Sequence, residues 1–94
     1  MGTWNEYKDY VKSTDPEAGA VIAEAEAKAA IITAMIEKRD ALGLSQRDLA
    51  ALCDMPQSTV ARIESSKTNP TLDMLLLIMR KLGLTLSVTP MKAH

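Results

Sequence analysis

The sequence predicts an all-α fold that closes with one short β-strand, and three observations carry the prediction. Apolar residues recur at steps of three and four through most of the chain, with capping residues ahead of the runs and Gly43 or Gly83 behind two of them. The segment Leu84-Thr85-Leu86-Ser87-Val88-Thr89 instead alternates apolar and polar strictly, the pattern of a half-buried strand. There is no Phe among the 94 residues, and the only aromatics are Trp4, Tyr7 and Tyr10, so the core must be aliphatic.

Thr3-Trp4-Asn5-Glu6 fits a capping box, and Trp4, Tyr7 and Val11 follow at helical spacing, which gives a short amphipathic helix over roughly residues 4–12. Ser13-Thr14-Asp15-Pro16 breaks it. Asp15 as N-cap, Pro16 at the first helical position and Glu17 in the first turn then start an Ala-rich helix that runs to about Leu42 and stops at Gly43. Ile22, Ala25, Ala29, Ile32 and Ile36 form its apolar stripe. At about 40 Å this helix outruns so small a core, so its first turns are expected to project or to pack on a partner. Ser45 caps the next helix, with Asp48 completing an imperfect capping box and Leu49 and Leu52 facing inward. Asp54-Met55-Pro56 is a turn, and Gln57 to Ser65 or Ser66 is a helix that buries Val60 and Ile63. After the polar loop Lys67-Thr68-Asn69-Pro70, Thr71 caps a last helix, Leu72 to Leu82, which Gly83 stops.

Composition narrows the function classes. One cysteine, Cys53, excludes an internal disulfide and reads as a small buried apolar side chain. No apolar run approaches the about eighteen residues of a membrane span, and no signal-peptide pattern opens the chain, so a soluble cytoplasmic protein is expected. No His/Cys cluster, glycine-rich phosphate loop or nucleophile–base pair occurs. This argues against an enzyme and against any metal or cofactor. The net charge of −1 is divided unevenly. Residues 1–43 hold five Lys/Arg and eight Asp/Glu, and residues 44–94 hold six and four, so an acidic half precedes a modestly basic one. One copy neutralises few phosphates, and useful affinity for a nucleic acid would need two.

The stretch from Leu44 to Leu82 carries the chemistry. Three short helices joined by tight turns, the middle one opening Gln57-Ser58-Thr59, form a helix-turn-helix with little to catalyse and much to hydrogen-bond. Gln suits a bidentate contact with adenine and Arg one with guanine, while Ser and Thr serve bases or phosphates. Gln57, Ser58 and Arg62 lie opposite Val60 and Ile63. The plainer alternative makes Arg62 a surface ion-pair partner of Glu64 or Asp54, and Gln46 a solvated first-turn residue.

S-Q-R-D-L-A from Ser45, Q-S-T-V-A-R-I-E from Gln57 and K-T-N-P-T-L-D from Lys67 together resemble the Xre/Cro-type, phage-repressor-like helix-turn-helix family over about 40 residues. The resemblance implies a five-helix domain whose third helix enters the major groove. It places Gln46 on a phosphate, Gln57, Ser58, Thr59 and Arg62 at the groove, and Lys67, Thr68 and Asn69 beside the backbone. Pro56 departs from the pattern, standing where the family usually has a capping Ser or Thr.

The whole chain resembles a HigA-type antitoxin of a type II toxin–antitoxin pair: a W-N-E-Y-K-D-Y arm, a long helix ending I-E-K-R-D-A-L-G, the helix-turn-helix, and K-L-G-L-T-L-S-V-T-P. That resemblance implies a double-stranded DNA operator and a RelE/ParE-like toxin as partners, with repression of the protein's own operon. The organisation expected is a partner-binding arm at 1–14 using Trp4, Tyr7, Tyr10 and Val11, a helical body at 15–83 with its core from 30, and a strand at 84–94. Through Leu84, Leu86 and Val88 the strand would join a homodimer. The competing expectation is a stand-alone Xre-type repressor with no toxin.

Overall fold

Local chemistry at their ends fixes where the helices begin and stop. The computed structural model describes residues 16–90, where four α-helices follow one another: α1 Pro16–Ala41, α2 Gln46–Leu52, α3 Gln57–Glu64 and α4 Leu72–Leu82. At the start of α2, Ser45 Oγ accepts from the Asp48 amide at 3.0 Å while Asp48 Oδ2 accepts from the Ser45 amide at 2.9 Å, so the capping box closes in both directions. Hydrogen bonds from the Ser45 amide and, next, from the Ser45 hydroxyl hold the Asp48 carboxyl below its usual value. Thr71 Oγ1 accepts from the Met74 amide at 3.1 Å to start α4. Pro56 stands at the N-cap of α3 and offers no side-chain bond, as its ring dictates.

All four helices end alike. The amide two places past each final turn reaches back five residues: Leu44 to Arg39, Met55 to Ala50, Lys67 to Arg62 and Leu84 to Met79, at 2.8 to 3.0 Å. Each of these closures needs one left-handed residue, and the four are Gly43, Asp54, Ser66 and Gly83. Only the two glycines announce the left-handed residue in the sequence.

Close contacts divide the chain into residues 1–31 and 32–94. In the first unit the described residues are the opening turns of α1, where Gly19 is buried, Ile22 half-buried, and Ala25 and Ala29 exposed. In the second, Ile32 and Met35 from α1 meet Leu49, Ala50 and Cys53, then Val60 and Ile63, then Ile78, Met79 and Leu82. The core is aliphatic and sulfur-bearing, as the absence of Phe requires. Met35 is fully buried, whereas Ala25 and Ala29 of the expected stripe are not. The Cys53 thiol is buried, and that burial pushes its pKa up.

Two expectations about the fold are corrected. Among the described residues there are four helices rather than a five-helix domain, because the left-handed Gly83 ends α4 and no helix follows before Pro90. The expected C-terminal β-strand is also absent among them. Leu84 and Leu86 are half-buried and Thr85 and Ser87 exposed, so the alternation does describe a face. A strand, however, is defined by a hydrogen-bonded neighbour, and a chain whose other described elements are all helical supplies none. The expected arm helix, its Thr3 cap, the Asp15 cap and residues 91–94 lie outside the described residues.

The left-handed turns make a prediction of opposite signs. A Cβ added at Gly83 meets nothing within 4 Å, so Gly83→Ala costs only the backbone penalty, about 1 kcal/mol. Ser66→Gly relieves a similar penalty against glycine's extra chain entropy and is expected to gain about 0.5 kcal/mol. Urea denaturation midpoints should move in opposite directions for the two variants.

Candidate nucleic-acid interface

The α2–turn–α3 unit is built around one inward and one outward face. Val60 and Ile63 have no exposed surface, and Leu49 of α2 is equally buried. At 3.6 residues per turn this leaves Ser58 and Arg62 pointing away from the core, with Gln57 exposed beside them. Thr59 is half-buried and sits at the margin rather than the centre of that face. Beyond α3, Lys67 and Asn69 are exposed and Thr68 is half-buried.

Four side chains from the ends of three helices form one chain of hydrogen bonds. Arg39, in the last turn of α1, donates from Nε to Glu64 Oε2 at 2.7 Å and from Nη2 to Glu64 Oε1 at 2.9 Å. Its Nη1 donates to the Leu44 carbonyl at 2.9 Å. Gln46 Nε2 donates to Glu64 Oε1 at 2.9 Å, and Gln57 Nε2 donates to Gln46 Oε1 at 2.9 Å. The side chains of Arg39 and Glu64 keep 12% and 6% of their surface exposed, which makes this a largely desolvated, bidentate pair. The guanidinium is held above its ordinary pKa, chiefly by its hydrogen bonds to Glu64.

The charge at one end sets the orientation of both amides. An ionised carboxylate only accepts, so Gln46 must offer Glu64 its NH2 group and is left with its oxygen facing Gln57. Gln57 must then donate in turn. What remains on Gln57 is one N–H and the carbonyl oxygen, a donor and an acceptor side by side on an exposed residue. The amides of Gln57 and Ser58 open α3, where the helix offers them no backbone acceptor, and Pro56 provides no side-chain cap in its place.

The sequence placed Gln46 and Gln57 at the helix starts but not in contact, and it missed Arg39 altogether. Glu64 pairs with Arg39, so the ion-pair alternative for Arg62 does not hold. Arg62 is exposed and makes no ion pair or side-chain hydrogen bond among the described residues. A signal for Arg39 was present: it continues the Ile32, Met35, Ile36 stripe, and an arginine on a core-facing stripe demands a partner. Trp4, Tyr7, Tyr10 and Val11 lie outside the described residues. Leu84 and Leu86 are half-buried and Val88 is 98% exposed.

A short helix with a buried back and an exposed hydrogen-bonding front, braced by the helix before it, defines a helix-turn-helix protein. Residues 35–88 match the family model described as Helix-turn-helix. The chain is 36% identical to an uncharacterized HTH-type transcriptional regulator of Haemophilus influenzae, over 95% of this chain and 86% of that protein. It belongs to the Xre-type helix-turn-helix family of DNA-binding transcription regulators. It is also similar to a chain of a solved toxin-antitoxin module from Streptococcus pneumoniae, with 32% identity, a TM-score of 0.73 and coverage of 97% of this chain and 96% of that one. The family is typically non-enzymatic. Among the described residues, no helix is long and apolar enough to cross a membrane and no group of three or more His, Cys, Asp or Glu is placed to hold a metal ion.

The relay separates stability from readout. Glu64→Ala leaves the Arg39 guanidinium with only the exposed Asp40 carboxylate, 3.4 Å from Nη1, as a counter-charge and is expected to cost about 2 kcal/mol, read as a lowered urea midpoint. The apolar pair Arg39→Met with Glu64→Leu should recover most of that loss. DNA affinity should not return with it, because Gln46 and Gln57 lose the anchor that orients them.

Proposed function

We propose that this protein is a HigA-type antitoxin of a type II toxin–antitoxin pair, which binds its own operator through α3 and neutralises a RelE/ParE-like toxin through its first residues. The observation that carries the reading is similarity along nearly the full length to a chain of a toxin-antitoxin module, including the region ahead of the helix-turn-helix. Gln57 presents its free N–H and oxygen to an adenine edge, Ser58 and Thr59 flank it, and Arg62 reaches a guanine. Gln46, held between Glu64 and Gln57, keeps one amide hydrogen for a phosphate. Lys67, Thr68 and Asn69 approach the backbone and add affinity without sequence preference. Two copies bind a twofold operator, and Leu84, Leu86 and Val88 contribute part of their contact. The name of the Haemophilus influenzae relative favours a second reading, a regulator with no toxin partner.

Operator titration tests the base readout. Arg62→Ala should lose about 1–3 kcal/mol and relax specificity at one position. Lys67→Ala should weaken all sequences alike and flatten the salt dependence. Equal operator affinity for Arg62→Ala and the unaltered protein would reject the groove assignment.

Toxin neutralisation is tested by deletion of residues 1–14. Co-expressed with the small protein encoded beside it, the full chain should rescue growth and co-purify with that neighbour, while the shortened chain does neither yet still binds the operator. Rescue by the shortened chain would move the interface elsewhere, and a neighbour without toxicity would favour the plain regulator.

A further inference from the structure

The outward face of α4 is left partly bare. Leu75, Ile78, Met79 and Leu82 turn that helix toward the core, and the opposite side carries Asp73, Leu76, Leu77 and Arg80, which line a shallow surface depression. Leu76 keeps 46% of its surface exposed and Leu72, one turn earlier, 64%. Leucines at the water-facing side of a helix are costly to leave bare, and a regulator of this size has little apolar surface to spare. Asp73 and Arg80 stand two turns apart, about 10 Å along the axis, too far to satisfy each other. Neither forms an ion pair among the described residues.

The order of these residues is self-complementary. Reading outward from the Leu76–Leu77 step, each side meets a charge after the same interval, negative toward the N-terminus and positive toward the C-terminus. A second α4 laid antiparallel across a twofold axis at that step sets Leu76 on Leu77 of the other copy. It sets Asp73 on Arg80 twice over. We propose that this face is where two copies of the chain associate, with the leucines supplying affinity and the crossed charges fixing antiparallel register. The proposal deepens the homodimer within the functional reading above by naming its principal surface, and the charge complementarity is what selects a second copy over another partner.

Charge reversal tests it in the absence of DNA, so its outcome is independent of operator binding. Sedimentation equilibrium of the full chain should give a reversible dimer. Asp73→Arg places two arginines opposite each other at both ends of the contact, and Arg80→Asp does the same with two aspartates. Each variant alone should dissociate at least ~tenfold more readily. An equimolar mixture of the two variants should restore a heterodimer near the strength of the unaltered protein, because every facing pair is again of opposite sign. Restoration in the mixture also shows that both variants are folded. Dimers of Asp73→Arg at unaltered strength, failure of the mixture to recover, or a monomeric unaltered chain would each overturn the proposal.

Discussion

The bidentate pair between Arg39 and Glu64 is the constraint that the rest of the helix-turn-helix depends on. Three of the guanidinium's nitrogens are committed, two to Glu64 and one to the Leu44 carbonyl, while the Arg39 carbonyl accepts from the Leu44 amide. The turn from α1 into α2 is thereby clasped from side chain and backbone at once. Desolvating two charges seldom adds net stability over an apolar pair of the same shape. What it supplies is geometry: a planar fork and a planar carboxylate meet in very few ways, and the end of α1 and the end of α3 are set by that fit.

Such a device matters because the helices it fixes are weak by themselves. Helices of 7 and 8 residues, as α2 and α3 are, fall short of the length at which a helix persists alone in water. Their stability comes from Leu49, Val60 and Ile63, which hold them by burial, and burial is indifferent to small rotations. A recognition surface cannot be indifferent in that way. The relay from Glu64 through Gln46 to Gln57 adds the direction that packing lacks, and it orients the Gln57 amide before any ligand arrives.

Legibility in the sequence followed the range of the interactions. Ser45 with Asp48, Thr71 ahead of α4, and Gly43 and Gly83 behind α1 and α4 act over three to five residues, and each was readable. Asp54 and Ser66 make the same turns without glycine, and although the turn at Asp54 was readable, the left-handed conformation of the two was not. The Arg39–Glu64 pair spans 25 positions and has no period, so only the misplaced charge on an apolar stripe hinted at it. At 84–87 the alternation tells which side chains are covered, but Val88 is exposed and breaks it, and backbone pairing is a property that belongs to a neighbour and not to the segment. The exposure of Gln57, Ser58 and Arg62 was legible because the side opposite Val60 and Ile63 is a matter of helical period alone.

The same pair bears on how a chain with a net charge of −1 approaches a polyanion. Excess acid belongs to residues 1–43, and the four acidic residues after Leu44 are largely managed in place. Glu64, the only acid on α3, is turned inward and met by Arg39; Asp48 is spent on its own helix start. Asp73 lies on the outward side of α4 with Arg80, leaving Asp54 as the one exposed acid in the turn before α3. Arg62 and Lys67 are therefore not opposed by a carboxylate on their own helix and loop. What guides binding is the sign of the local surface within a Debye length, about 8 Å at physiological salt, and not the sum over the chain. Neutralising Glu64 from behind is thus an electrostatic condition for the face as well as a mechanical one.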